Sequence, residues 1–246
     1  APRPPRRNGP RPRVYHPTTS TTTGADMDFL RVTEIFHSIQ GESTWAGQPC
    51  TFIRLSGCPL RCTWCDTAYA FHGGERLSLD DILHRVAALD TPLVEVTGGE
   101  PLIHPNAFRL VQRLLDAGFT VLVETSGAVD VAGLDPRAHR IMDVKCPGSG
   151  ESERNLWSNL QHLTGNDEVK FVIADRADYE WAREVVREHG LGERVRAGTL
   201  KEVLFSPVWG RVEFQDLAGW ILEDRLPVRF QLQLHKLVWG ADVPGV

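Results

Sequence analysis

The sequence predicts an α/β fold in which parallel strands with outer helices form a partial, open β/α barrel. Seven β-rich runs recur along the 246 residues, and amphipathic segments separate them. Strands that alternate with helices favour right-handed crossovers and a parallel sheet. The units are too few for a closed barrel, so we expect the sheet to remain open. A chain that is 41% hydrophobic and 24% charged is sufficient for one sizeable core.

The predicted strands are short runs rich in β-branched and aromatic residues. They lie at 51–55, 93–97, 119–124, 140–144, 168–173, 202–205 and 228–233. Three amphipathic helices are predicted between them. Ser78 caps the first, whose apolar stripe begins at Leu79, and Gly118 follows the second. Residues 177–186 form the third, and Gly190 follows it.

Residues 1–26 are predicted to be a disordered extension, with a single domain over 27–246. Between Ala1 and Thr23 the chain holds five Arg and six Pro but almost no large apolar side chain. Such a segment cannot bury enough surface to offset its ordering entropy, and it lacks the apolar centre of a secretory signal. We therefore expect the fold and its site to follow this segment.

The composition argues against several classes of partner. The formal net charge of −5 gives no support for a direct nucleic-acid partner, and no apolar run is long enough to cross a membrane. Five cysteines are an odd number, and three of them are crowded together, which argues against a disulfide framework. This usage favours a reducing, cytoplasmic compartment. Cys50, in an apolar run, is predicted to be a buried thiol.

Residues suited to binding follow the carboxyl ends of six predicted strands. In a parallel barrel these ends share one face, which is where barrel enzymes build their sites. Any one of the segments alone would be an ordinary turn rich in Gly and Pro, but the six together predict an active site. They lie at 57–58, 97–101, 124–127, 143–147, 206–207 and 233–236.

The first of these segments begins a short loop that carries Cys58, Cys62 and Cys65. Three thiolates at this spacing can each bind one iron of a cubane cluster, whereas such clusters are usually held by four cysteines. An iron without a protein ligand is an open coordination site, as in catalytic metal centres. The alternative is a structural zinc loop, although zinc sites usually draw on paired cysteines or on Cys and His together.

This three-cysteine loop resembles the signature of the radical S-adenosylmethionine enzymes, over roughly residues 50–210. The resemblance implies a [4Fe-4S] cluster whose open iron chelates the methionine amine and carboxylate of S-adenosylmethionine. The reduced cluster then yields a 5′-deoxyadenosyl radical that removes a substrate hydrogen. Residues 98–101 resemble the family's Gly-Gly-Glu-Pro turn, where glycines admit the methionine moiety and a carboxylate pairs with its ammonium. The cofactor-binding residues implied are Trp64, Asp66, Gly98, Gly99, Glu100, Ser126, Lys145, Cys146, Pro147, Ser206 and Pro207.

Residues 34–43, Gly47 and 52–55 narrow the resemblance to the 7-carboxy-7-deazaguanine synthases, and it extends over residues 28–240. That family contracts the ring of 6-carboxy-5,6,7,8-tetrahydropterin with loss of ammonia, on the route to queuosine and related 7-deazapurines. Arg54 would bond the substrate carboxylate, a task suited to a planar guanidinium. The substrate-binding residues implied are Ile39, Gln40, Gly41, Arg54, Thr97 and His235.

The same resemblance implies Mg²⁺ bound by Thr67 together with substrate oxygens. Mg²⁺ prefers hard oxygen ligands, and one hydroxyl would not hold it alone, so this site should form only with substrate present. A flavodoxin- or ferredoxin-type electron donor and a homodimer are also implied.

A second functional assignment remains open. It is a radical enzyme that activates a partner protein by forming a glycyl radical on it. Against it, residues 40–42 and Arg54 suit a small carboxylated heterocycle, and we expect no added ferredoxin-like cysteine domain.

Overall fold

The computed structural model describes residues 29–241 and 243–245. The predicted extension at 1–26 lies outside the described residues. The strands are β1 (Phe29–Ile39), β2 (Pro49–Leu55), β3 (Glu75–Ser78), β4 (Leu93–Gly98), β5 (Thr120–Thr125), β6 (His139–Asp143), β7 (Glu168–Ile173), β8 (Glu202–Pro207) and β9 (Arg229–Phe230). The α-helices are α1 (Leu79–Ala88), α2 (Pro105–Asp116), α3 (Arg176–Glu188), α4 (Leu191–Arg196), α5 (Phe214–Glu223) and α6 (Leu234–Trp239).

The described strands form one sheet in the order β3-β1-β2-β4-β5-β6-β7-β8-β9. β2 and β4 to β9 pair with their neighbours in parallel. The predicted parallel sheet is therefore confirmed for all seven predicted strands. β3 and β9 do not pair with each other, and the sheet stays open. The carboxyl ends of the seven parallel strands are brought to one face, as the barrel prediction requires.

Two strands at one edge were not expected from the sequence. β1 pairs antiparallel with both β2 and β3, and its register shifts between Val32 and Glu34. That irregularity interrupts the alternation of buried and exposed side chains by which a strand is recognised. At the other edge, the strand predicted at 228–233 is only Arg229–Phe230, and a helix begins at Leu234.

The three predicted helices are present with the expected ends. The Ser78 hydroxyl accepts a hydrogen bond from the Asp81 amide at 3.1 Å and caps α1. Gly118 and Gly190, which follow α2 and α3, have φ angles of 93° and 58°, a region that favours glycine after a helix. Within the described ranges, none of the helices combines the length and apolar character needed to cross a membrane.

The apolar core lies on the helix-covered side of the sheet in two parts. One part joins β1 to β5 with α1 and α2, and the other joins β6 to β8 with α3 to α5. Cys50 is fully buried, as predicted, in a smaller group with Phe52 and Leu122. That smaller group lies on the interior side of the sheet, where Phe52 lines the cavity, and polar residues occupy the strand ends beyond it.

Candidate active site

A cavity of about 620 Å³ opens at the carboxyl ends of the parallel strands. The loop after β2, the turn after β4 and the ends of β5 to β8 form its walls, and α6 covers one side. It is lined by sixteen of the residues singled out from the sequence, namely Ile39, Gln40, Gly41, Arg54, Cys58, Cys62, Trp64, Cys65, Asp66, Thr67, Thr97, Gly98, Gly99, Ser126, Lys145 and His235. The predicted cofactor and substrate residues thus share one space.

The cluster loop, residues 57–67, presents its three cysteines to the cavity. Backbone bonds hold it at its start, from the Gly57 amide to the Ala70 carbonyl at 2.8 Å, and in its middle, from the Thr63 amide to the Ser149 carbonyl at 3.0 Å. Burial raises the pKa of the Cys58 and Cys62 thiols. A metal must therefore replace the thiol protons, which couples cluster binding to proton release.

The donor set of this loop fits a cluster better than a single ion. Within residues 29–241 and 243–245, no three His, Cys, Asp or Glu side chains are grouped so as to hold one metal ion. A structural zinc site needs four ligands that converge on one point. A cubane instead takes each thiolate on a different iron, so three thiols spread along one loop suit it.

The turn after β4 packs its backbone directly against the cluster loop. A Cβ on Gly99 would lie 2.3 Å from the Gly57 carbonyl oxygen and 2.7 Å from the Cys58 Cβ. The Glu100 amide donates to the same Gly57 carbonyl at 2.8 Å. Glycine is needed here because only a residue without a side chain permits this approach. The contact fixes the position of Cys58 relative to the turn.

The Glu100 carboxylate does not face the cavity, which corrects the expected pairing with a cofactor ammonium. It is fully buried and accepts from the Leu102 amide at 3.0 Å, from the Thr125 hydroxyl, and from the Ser126 amide at 2.6 Å and hydroxyl. It therefore caps the short helix that starts at Pro101 and anchors the turn that carries Ser126.

Four further predicted residues lie outside the cavity lining. The Cys146 thiol is buried in the core beside α3, while its carbonyl accepts from the Ser149 amide and hydroxyl. Pro147 is exposed. Ser206 and Pro207 end β8 rather than forming a turn, and the next two residues, Val208 and Trp209, reach the cavity instead.

Arg54, on β2, lines the cavity and is oriented by three neighbouring side chains. Its Nε donates to Glu34 Oε1 at 2.7 Å, and the Tyr69 hydroxyl donates to the same oxygen at 2.8 Å. The guanidinium carbon lies 5.6 Å from the ring centre of Phe36 and 5.9 Å from that of Tyr69. Because Glu34 takes the Nε edge, the planar group keeps its terminal nitrogens for a carboxylate in the cavity.

Helix α6 joins the cluster loop to the loop after β1. The Leu234 amide donates to the Gly41 carbonyl at 2.8 Å, and a Cβ on Gly41 would lie 2.0 Å from His235 Nδ1. Lys236 Nζ donates to Asp66 Oδ2 at 2.7 Å, and Asp66 Oδ1 accepts from the Thr67 hydroxyl at 3.0 Å. His235 lines the cavity, but from a helix and not from the strand end that was predicted.

The floor of the cavity is a charged group that the sequence reasoning did not bring together, although Glu42 and Glu124 lie in segments that it singled out. We name Glu42, Glu95, Glu124 and Lys170 the floor cluster. All four line the cavity, and Gln40 Nε2 donates to Glu95. A signal was present, because parallel strands buried on both faces read as continuous apolar runs, and β4 and β7 each carry a charged residue in the middle.

Comparisons with known proteins agree with this geometry. Residues 52–192 match the family model described as the Radical SAM superfamily. A 7-carboxy-7-deazaguanine synthase of Chlorobaculum tepidum is 47% identical over 221 residues, which is 88% of this chain and 97% of the relative. One of Koribacter versatilis is 46% identical over 231 residues, with 88% and 100% covered. The crystal structure of QueE from Escherichia coli has a TM-score of 0.68 at 23% identity, over 84% of this chain and 95% of that one, and shows the same fold.

Proposed function

The chain belongs to the 7-carboxy-7-deazaguanine synthase family of the Radical SAM superfamily, and from this premise we propose its reaction and site. The enzyme contracts the ring of 6-carboxy-5,6,7,8-tetrahydropterin to 7-carboxy-7-deazaguanine with loss of ammonia, in queuosine and 7-deazapurine biosynthesis. The observation that carries the proposal is that the three-cysteine loop lines the same cavity as Gln40, Arg54 and Thr67.

Cys58, Cys62 and Cys65 would hold a [4Fe-4S] cluster, and the turn at Gly98 and Gly99 would receive the methionine moiety of S-adenosylmethionine. When bound, these groups supply the 5′-deoxyadenosyl radical. The protein's own contribution is orientation and the exclusion of water. Ser126, held by Glu100, and Lys145, paired with Asp143 at 2.7 Å, line the same wall.

On the substrate side, Arg54 would bind the carboxylate, and Thr67 would bring Mg²⁺ to substrate oxygens. The Thr67 hydroxyl donates a hydrogen bond to Asp66, so the lone pairs of its oxygen are available to a hard cation. An electron donor of the flavodoxin or ferredoxin type and a homodimer remain predictions, which reduction assays and sedimentation would test.

The proposed function is tested by one anaerobic assay with reconstituted enzyme, carboxytetrahydropterin, S-adenosylmethionine, Mg²⁺ and a chemical reductant. We expect 7-carboxy-7-deazaguanine and ammonia in equal amounts. Cofactor cleavage that ignores the pterin but responds to a protein partner would instead support the glycyl-radical alternative. A colourless, zinc-loaded protein would support a structural zinc module.

Arg54→Ala is expected to raise Kd for the pterin by roughly tenfold to a hundredfold, because a charge-assisted bond is worth about 1.5–3 kcal/mol. Binding of S-adenosylmethionine should change little, and calorimetric titration of each ligand measures both. The matched control is Arg85→Ala, which removes an exposed ion pair with Glu75. Equal loss of both affinities in Arg54→Ala would refute the assigned role.

Glu100→Gln is expected to weaken S-adenosylmethionine binding about tenfold, since it removes a charged acceptor from the Ser126 amide and hydroxyl. The affinity for the pterin, measured without the cofactor, should stay within about twofold of the unaltered protein. An unchanged cofactor affinity would show that Glu100 does not act through Ser126.

A further inference from the structure

Lys170 is a buried cation at the centre of the cavity floor. Its side chain is 4% exposed and lies on β7, where Lys170 pairs in register with Asp143 of β6 and Leu204 of β8. Burial of an ammonium is costly unless partners compensate it. A buried lysine at this position therefore indicates that the cavity floor requires a fixed positive charge.

Two carboxylates from distant parts of the chain supply that compensation. Lys170 Nζ donates to Glu42 Oε2 at 2.7 Å and also to Glu124 Oε1. Burial alone would lower the pKa of Lys170, but Glu124 and Glu42 outweigh it and raise the pKa well above its usual range. Burial likewise opposes ionisation of Glu42, yet Lys170 and His235 lower its pKa to about 2. Lys170 and Glu42 are therefore charged at neutral pH.

Glu95 differs from the other members of the floor cluster. It is 2% exposed, and burial, followed by the charge of Glu124, raises its pKa well above the usual range. Gln40 Nε2 donates to the Glu95 carboxyl, and Glu124 lies beside it. Lys170 is thus the cation of the floor cluster, and it bonds two of the cluster's three carboxyl side chains.

The two carboxylates bound by Lys170 differ in the hydrogen bonds that their second oxygens accept. Glu42 uses its second oxygen to accept from Gln233 Nε2 at 3.0 Å. Glu124 is 28% exposed and lines the cavity, where its Oε2 lies 3.5 Å from the Thr97 hydroxyl. A contact of that length is a weak hydrogen bond at best. Lys170 therefore fixes one oxygen of Glu124, and the carboxylate that it holds lines the cavity.

We propose that Lys170 is a positioning residue for the substrate: it holds the carboxylate of Glu124 at the cavity, where that group accepts from an N–H donor of the bound heterocycle, and it holds Glu42 beside it. This inference rests on the proposed function, since a pterin edge offers such donors. Lys170 acts through the two carboxylates, and its removal would leave them to repel each other and to rotate.

The test compares Lys170→Met and Lys170→Arg with the unaltered enzyme. In Lys170→Met we expect KM for carboxytetrahydropterin to rise at least tenfold, with the affinity for S-adenosylmethionine within twofold and more 5′-deoxyadenosine formed per product. Lys170→Arg keeps the charge and should recover part of the pterin affinity. The matched control is Arg140→Met, which breaks the buried Arg140–Asp167 pair outside the cavity lining and should lower Tm without a change in KM.

Because Lys170→Met leaves buried carboxylates unpaired and can prevent folding, the double variant Lys170→Met/Glu124→Gln is made as well. It should regain Tm relative to Lys170→Met while its pterin affinity stays low. A normal KM in Lys170→Met, or recovery of KM together with Tm in the double variant, would overturn the inference and leave charge compensation as the only role of Lys170. If the unaltered enzyme does not convert the pterin at all, the proposed function fails instead.

Discussion

Replacement of Cys58, Cys62 or Cys65 by alanine is expected to abolish both the reconstituted cluster and turnover, whereas Cys50→Ala retains both. Each of the three thiols lines the cavity, and a cubane that already lacks one protein ligand has none to spare. Cys50 is fully buried in the apolar group with Phe52 and Leu122, so its truncation costs about 1 kcal/mol of stability and no iron ligand. The measurements are iron and sulfide content, visible absorption and product formation.

The four cysteine variants separate the alternatives for this loop. If Cys50→Ala also lost its iron, a four-ligand cluster would replace the three-ligand assignment. If the three loop variants lost bound zinc rather than iron and sulfide, the loop would be a structural zinc site. Thermal unfolding of each variant distinguishes loss of the metal centre from loss of the fold.

Gly99→Ala is expected to lower kcat/KM by at least about a hundredfold, because misplacement of a reacting group by about 1 Å can cost that much. The new Cβ would lie 2.3 Å from the Gly57 carbonyl oxygen and 2.7 Å from the Cys58 Cβ, so the cluster loop must move. The displaced atoms belong to the backbone and to the first cysteine, and a change of rotamer cannot relieve the contact. Cluster content and S-adenosylmethionine affinity should both fall.

Gly219→Ala is the matched control for that variant. Gly219 lies inside α5 with open space around it, so alanine there should stabilise the protein by about 0.5–1 kcal/mol and leave activity unchanged. An active, fully loaded Gly99→Ala enzyme would show that the turn and the cluster loop are not coupled as the structure indicates. Absorption spectra and calorimetric titration with S-adenosylmethionine provide the readout.

Features carried by short stretches of chain were predictable from the sequence. The three cysteines, the Gly98–Gly99 turn and the seven parallel strands each depend on local pattern and spacing. The floor cluster was not found, because its ion pair between Lys170 and Glu42 joins positions 128 residues apart. Strand periodicity says which face a side chain occupies, but not which distant side chain it meets.

The role of Glu100 shows a different limit of motif reasoning. Its place beside two glycines suggested a carboxylate directed at a ligand, yet the side chain turns back to cap the short helix at Pro101. An acidic residue directly before a proline is itself a helix-start pattern, since proline suits the first helical position. The local capping chemistry thus decided the direction of the side chain.

The contacts on the two sides of the site differ in sequence separation, and we expect them to form in a corresponding order during folding. The contacts of the cluster loop with Gly99 close within β2 to β4, so they form from neighbouring segments of chain. The bonds from Gln231 to Ser43 and from Gln233 to Glu42 span 188 and 191 residues. Loop-closure entropy grows with such separation, and contacts of this kind slow folding. We therefore expect the contact between Gly99 and the cluster loop to form before the bonds of Gln231 and Gln233, which complete the substrate-binding side when the far edge of the sheet folds back.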